Sequence, residues 1–125
     1  MATVLANTGK AIVTNRVKNG ATGATEPNYV AWGTGAGTAA ITDTTLFTES
    51  AEARVAGTST QVTTTTTNDS YQVVGTITAS ATRAITNAGL FDASTSGNLF
   101  VKGDFTTINL SSGDSIQFTI KVQFS

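Results

Sequence analysis

The last eleven residues carry the clearest alternation of hydrophobic and polar positions in the chain. Apolar side chains occupy every even position from Ile116 to Phe124, and polar side chains occupy every odd position from Ser115 to Ser125. A repeat of two residues is that of a β-strand with one buried face, whereas a helix would spread these apolar groups around its circumference. The pattern predicts a C-terminal strand roughly 30 Å long, which needs neighbouring strands and a second layer to cover it.

Other stretches alternate over shorter lengths and are separated by turn residues. Residues 28–33 are expected to form a short strand in which Trp32 anchors the core. Roughly six short strands at near-regular spacing are typical of an antiparallel β-sandwich. The remaining predicted strands are 55–66 and 71–80, which should form a hairpin, followed by 84–92 and 98–105.

A single helix is predicted near the N-terminus, over residues 8–18. Asn7 or Thr8 is a suitable N-cap, and Asn19-Gly20 is a suitable left-handed stop. The glycines up to Pro27 then predict a loop. The expected fold class is therefore all-β, an antiparallel sandwich of about six to eight short strands with one short N-terminal helix.

Two further segments are less regular. Residues 42–49 are expected to form one helical turn that directs Leu46 and Phe47 inward. The five consecutive threonines Thr63 to Thr67 predict an extended segment without an apolar face, either a solvated edge or an arm that lies on another subunit.

Composition supports the β-rich interpretation and limits the possible partners. Among 125 residues there are 26 Thr, and only 12% are charged, with a net charge of −1. Thr is β-branched and favours strands. Because the seven basic residues are scattered, neither nucleic acid nor a membrane is expected as a partner. We expect one domain over 1–125, with an extended N-terminal segment of about 1–6, made in a cytoplasm because no signal peptide is evident.

The residues available for chemistry are few. His and Cys are absent, which removes the commonest general base, the thiol nucleophile and the soft metal ligands. The carboxylates include Glu49 and Glu52, which are expected to pair with Arg54. Gly33-x-Gly35-x-Gly37 is not followed by the Gly-Lys-Ser/Thr of a phosphate loop. No catalytic, cofactor or metal site is expected.

Four segments together resemble a group of small virion proteins of tailed bacteriophages. The resemblance covers nearly the whole chain, and its most specific part is Ala88-Gly89-Leu90-Phe91-Asp92 followed by Gly97-Asn98-Leu99, which is similar to a β-hairpin of tail-fibre, baseplate and head-surface proteins. It implies a non-enzymatic component of a symmetric assembly. The segments are Gly9-Lys10-x-Ile12-Val13, Pro27 to Gly35, Asp43 to Val55, and Ile85 to Leu99.

The resemblance leads to two functional hypotheses. The first is a capsid decoration (cement) protein that binds the outer head shell and its major capsid protein, as a homo-trimer or another symmetric oligomer. We favour it because the chain has no extended repeats or stalk of a long fibre protein. The alternative is a tail, baseplate or fibre-associated structural protein. The expected partner contacts are the N-terminal segment and the threonine segment, namely Ala2, Thr3, Val4, Leu5, Thr63, Thr64 and Thr65.

A third hypothesis, from a different class, is a carbohydrate-binding β-sandwich. It would use Trp32, Tyr29 or Tyr71 as a stacking platform for a sugar. Exposed aromatic rings would favour it, and buried rings would argue against it. An enzyme is the last choice.

Overall fold

The computed structural model describes residues 1–18 and 25–125, and in these ranges it contains one helix and eight strands. The predicted helix stop at Asn19-Gly20 and most of the loop that follows lie outside the described residues. The elements are β1 (Thr3–Leu5), α1 (Asn7–Val17), β2 (Tyr29–Gly33), β3 (Val55–Ala56), β4 (Thr58–Val62), β5 (Ser70–Thr78), β6 (Arg83–Phe91), β7 (Leu99–Leu110) and β8 (Ser115–Gln123).

The strands form two antiparallel sheets of unequal width. One sheet has five strands in the order β1-β7-β6-β2-β3, and the other has three in the order β4-β5-β8. Each neighbouring pair is antiparallel. The structure therefore confirms the all-β, sandwich-like class with one short helix.

The sheets join at a corner made by Gly57. Residues 55–56 pair with β2 in the larger sheet, whereas 58–62 pair with β5 in the smaller one. A Cβ atom on Gly57 would lie 2.5 Å from Val73 Cγ1, so only glycine allows the backbone to approach this closely. The predicted hairpin of 55–66 with 71–80 is thus right for 58–62 and wrong for 55–56, which belong to the other layer.

The core between the sheets is centred on Trp32, as the sequence predicts. Its side chain is 1% exposed, and its indole Nε1 donates a hydrogen bond of 2.9 Å to Glu52 Oε1. The buried hydrophobic side chains that pack in the same cluster include Val30, Val73, Ile77, Ile85 and Leu90.

The opposite face of the larger sheet is covered by residues 39–49 without a helical turn, so the helix predicted over 42–49 is wrong. The Asp43 carboxylate accepts hydrogen bonds from the Ala40 amide (2.9 Å) and from Lys102 Nζ (2.9 Å), and it therefore closes a turn instead of capping a helix. These bonds hold the pKa of Asp43 below its usual range. Leu46 is buried, as expected.

The helix α1 begins one residue before the predicted start, and Ala6 is its N-cap, without a side-chain cap. Asn7 and Thr8 are therefore not the cap. The Thr8 hydroxyl instead donates to the Leu99 carbonyl at 2.6 Å, and the Ala6 amide donates to the Phe100 carbonyl at 3.0 Å. The start of the helix is fixed by β7.

The threonine segment is a turn, so the extended arm predicted for Thr63 to Thr67 is wrong. The amides of Thr64, Thr65 and Thr66 donate to the Asp69 carboxylate at 2.8 to 3.0 Å. A carboxylate that accepts several backbone N–H groups organises the chain around itself. The hydrogen bonds from these backbone amides hold the pKa of Asp69 well below its usual range, and the one from Thr66 contributes most.

Candidate assembly surface

The C-terminal strand β8 borders an open groove between the two sheets. Its apolar side chains at even positions are only half-buried, while the odd positions are exposed. The groove has a volume of about 560 Å³ and is lined by residues of β1, β6, β7 and β8. The apolar face of β8 therefore has the larger sheet opposite it, but the two sheets do not cover each other completely.

The groove exists because the smaller sheet ends before the larger one does. The ring of Phe118 on β8 lies 6.2 Å from the ring of Trp32 on β2 and 6.4 Å from that of Phe105 on β7. The strand β8 therefore lies above β6, which separates β2 from β7. Beyond β8, none of the described strands of the smaller sheet lies above the inner faces of β7 and β1.

Small residues deepen the floor of this groove. The register places Ala88, Gly103 and Thr3 in one row with Trp32 across the larger sheet. A Cβ atom on Gly103 would lie 3.1 Å from Thr3 Cγ2 and 3.7 Å from the nearest backbone atom, the Ala2 oxygen. The floor therefore carries small side chains, and the space for larger ones is the open volume of the groove above it.

Among the described strands, only β5 pairs with β8, so the outer edge of β8 presents its backbone groups without a strand partner. Phe124 N donates to the Asp69 oxygen at 2.9 Å, and Ala79 N donates to the Asp114 oxygen at 2.8 Å. Both contacts fall in the register that pairs β5 with β8. Because hydrogen-bonded positions alternate in antiparallel pairs, the even positions of β8 bond to β5 and the odd positions direct their N–H and C=O groups outward. The outward residues are Ser115, Gln117, Thr119, Lys121 and Gln123.

One charge lies on this edge. Lys121 is exposed, and among the described residues the ion pairs are Arg54–Glu49, Arg83–Glu52 and Lys102–Asp43, so Lys121 belongs to none of them. The edge is otherwise neutral and polar.

The predicted N-terminal contact residues lie at the groove. The positions Thr3, Val4 and Leu5 form β1 and pair with β7, while the Ala2 amide donates to Asp104 Oδ1 at 3.2 Å. Hydrogen bonds from the Ala39 and Ala2 amides lower the pKa of Asp104. The segment is held by its own chain through β7 and Asp104; its contact with another chain stays a prediction.

The predicted threonine contacts lie beyond the C-terminal end of β8. The Gln123 side-chain amide donates to Thr65 Oγ1 and to Asp69 Oδ2, both at 3.0 Å. Thr63 and Thr64 are exposed in the same turn. The turn thus adjoins one end of the groove edge, and its contact with a partner also stays a prediction.

The aromatic residues do not form a sugar-binding platform together. Trp32 is buried in the core, and Tyr71 is half-buried with its hydroxyl donating to the Pro27 carbonyl at 3.2 Å. Tyr29 is half-buried on the other face of the sheet, against the cluster that contains Phe91. The burial of Trp32 argues against the carbohydrate hypothesis.

The carboxylates that were expected to pair with Arg54 separate into two sites. Glu49 binds Arg54 through two oxygens, at 2.8 and 2.9 Å, as predicted. Glu52 instead pairs with Arg83 at 3.0 Å, so the second half of that prediction is wrong. The described residues contain no group of three or more side chains suited to a metal ion, and no helix among them is long and apolar enough to span a bilayer.

Reasoning from the sequence missed the groove. The alternation of β8 predicts that one face is apolar, but it carries no information on how many strands lie opposite. The small residues Ala88 and Gly103 are compatible with either a tightly packed or an open position, so no local signal distinguishes the two.

Comparison with known families identifies the chain. The family model described as "Podophage GP4 fiber I protein gp80" matches residues 4–122, and the chain belongs to this family. The match confirms the resemblance to small structural proteins of tailed-phage virions. No curated protein matches the chain.

Proposed function

We propose that this protein is a non-enzymatic structural subunit of a podophage tail, associated with its fibres, and that it works by binding other virion proteins. The observation that supports this most directly is the family match over residues 4–122, whose description names a fibre protein. An open groove beside an unpaired strand edge suits a protein that functions by assembly.

A tail or fibre-associated structural role is thus favoured over that of a capsid decoration protein. The absence of long repeats argued against a fibre, but that argument concerns the elongated shaft. A subunit of this size can attach a fibre or cover its base without containing a shaft. Its partners would then be tail proteins instead of the major capsid protein, and it would associate with itself as a homo-trimer or another symmetric oligomer.

The location can be tested on purified virions. We would dissociate particles of a phage that encodes this chain, separate heads from tails, and measure the protein in each fraction by quantitative mass spectrometry. We expect it in the tail fraction at a fixed ratio to the other tail proteins. Recovery with the head shell instead would overturn the fibre proposal and favour decoration.

A further inference from the structure

We propose that the groove beside β8 receives one extended segment of another virion protein, which adds a strand to the smaller sheet above β7 and β1. The inference rests on the proposed role as a virion assembly protein and specifies the contact through which that role is performed. Three features of the groove support it: the outward backbone groups of β8, the small residues of the floor, and the charge of Lys121.

The outward backbone groups of β8 offer hydrogen bonds to an added strand. Five residues of this strand direct their N–H and C=O groups away from β5, as the register shows. An incoming strand can pair with all of them, and such strand addition is a common mode of peptide recognition. The edge runs the length of a nine-residue strand, or about 30 Å.

The floor of the groove indicates which side chains an added strand would carry. Every second side chain of an added strand would point into the groove, toward the row of Thr3, Gly103 and Ala88 and toward the half-buried Phe118. Small floor residues and apolar walls favour large apolar side chains at these positions. The partner segment is therefore expected to alternate apolar and polar residues, as β8 itself does.

The unequal width of the sheets decides between a segment and a second copy of the sandwich. Two copies joined edge to edge through β8 would each bring β7 and β1 of the larger sheet into the space below the partner's β8. Those strands already occupy that layer, since they extend beyond β8. A strand without a second layer of its own fits, and the described strands of a second copy are all held in its own two sheets, so the occupant is assigned to an extended segment that projects from a different protein.

The charge of Lys121 specifies the partner segment further. Lys121 is the single charge among the outward residues of β8 and has no ion pair with a described residue. A carboxylate opposite it on the added strand would form a cross-strand pair. The segment is therefore expected to carry Asp or Glu at that position. A lysine on an edge strand also deters uncontrolled pairing, and the experiment must separate these two roles.

Proline variants test strand addition directly. The variant Thr119→Pro removes an outward N–H group without removing a bond to β5, and proline is tolerated on edge strands in that orientation. The matched control is Gln61→Pro on β4, the opposite edge of the same sheet, where the register also directs the N–H away from β5. Thermal unfolding of both purified variants checks that the fold is kept.

Each variant would replace the natural protein in a phage that encodes this chain, and the copies per virion would be counted by mass spectrometry. We expect Thr119→Pro to reduce incorporation at least tenfold and Gln61→Pro to leave it unchanged. Equal incorporation of the two variants would overturn the proposal. If Thr119→Pro does not fold, Gly103→Val, which fills the floor, gives the same test against Thr60→Val on β4.

Reversing the charge of Lys121 tests whether this residue binds an acidic residue of the partner or only prevents uncontrolled strand pairing. The variant Lys121→Glu should lower incorporation severalfold, whereas Lys10→Glu, an equal charge change on the exposed side of α1, should not. If Lys121 served only to deter pairing, Lys121→Glu would incorporate normally, and the acidic partner residue would be excluded.

A photo-crosslinking amino acid in place of Thr3, in intact virions, identifies the occupant. The expected product joins this chain to an alternating segment of a different virion protein. Crosslinks only to a second copy, or none, would overturn the proposal. A crosslinked segment from a head protein would keep the groove assignment and reject the fibre location, so the two proposals can fail separately.

Discussion

The two sides of the sandwich differ in how completely the layers cover each other. At the Gly57 corner the sheets touch, and a Cβ atom on Gly75 would lie 2.7 Å from Val30 Cγ2. At the β8 side a groove of about 560 Å³ remains. On the open side β8 alternates half-buried and exposed positions, whereas on the closed side β2 is buried at four of its five positions. The difference shows that the strand pattern determines which face is apolar, while the number of strands in each layer determines whether that face is covered.

The two sides therefore serve different purposes. The closed side holds the fully buried side chains of Trp32, Val30 and Val73, so substitutions there should cost more stability than substitutions at the groove. The open side keeps apolar surface available for a partner. Substitutions that are matched between the sides should separate stability from assembly.

The largest contrast is expected between two aromatic residues in mutual contact. The variant Trp32→Ala removes a fully buried side chain and should lower the free energy of unfolding by about 3–5 kcal/mol. The variant Phe118→Ala removes a half-buried one and should cost about 1–2 kcal/mol. Equilibrium urea unfolding measures both. Equal costs would show that the groove is already covered in the purified protein.

The next contrast concerns the buried carboxylate beside Trp32. Burial alone would raise the pKa of Glu52, but hydrogen bonds from Ser50, Ser80 and Trp32 outweigh it and hold the pKa well below the ordinary value of 4.5. Since the pKa is lower in the folded state, the ionised carboxylate stabilises the fold above about pH 4.5, and this contribution is lost as the pH falls below that value.

The variant Glu52→Gln should therefore lower the free energy of unfolding by about 1.5–3 kcal/mol at neutral pH and by less in acid. Urea unfolding between pH 7 and pH 3 measures the difference. A constant difference across this range would contradict the assignment of the ionised carboxylate as the stabilising form. The variant Thr60→Ala on the exposed face of β4 serves as the control.

The smallest contrast concerns two glycines. The variant Gly57→Ala places a methyl group against Val73 and should cost about 1–3 kcal/mol. The variant Gly103→Ala places its methyl group 3.1 Å from the exposed Thr3 side chain and 3.7 Å from the Ala2 oxygen, and it should change stability by less than about 1 kcal/mol. Thermal and urea unfolding report both. A large loss for Gly103→Ala would show that the groove floor is tightly packed.

Much of the fold could be predicted from residues close together in the chain. The strands at 84–92 and 98–105 form the hairpin of β6 with β7, and Trp32 anchors the core. Here the turn residues and the alternation lie in one short segment, so local rules are sufficient. The family resemblance, carried by the same segments, was confirmed by the family match.

The predictions that failed depend on residues far apart or on competing local bonds. The turn around Asp69 replaced an extended threonine arm because one carboxylate offers several amides a better partner than solvent. The conformation of residues 42–49 depends on Lys102, which is distant in the chain and donates hydrogen bonds to Asp43 and to the Thr45 carbonyl. The threonine run alone does not predict that its amides bind Asp69. The capping pattern alone does not predict that Asp43 binds Lys102.

The candidate site shows the same division. The alternation from Ile116 to Phe124 was sufficient to establish a strand with one apolar face, because that property depends on side chains two positions apart. Whether this face is buried or open depended on the assembly of eight strands into layers of five and three. That count arises from the pairing of distant segments and from the corner at Gly57, so the groove emerged only in the folded molecule.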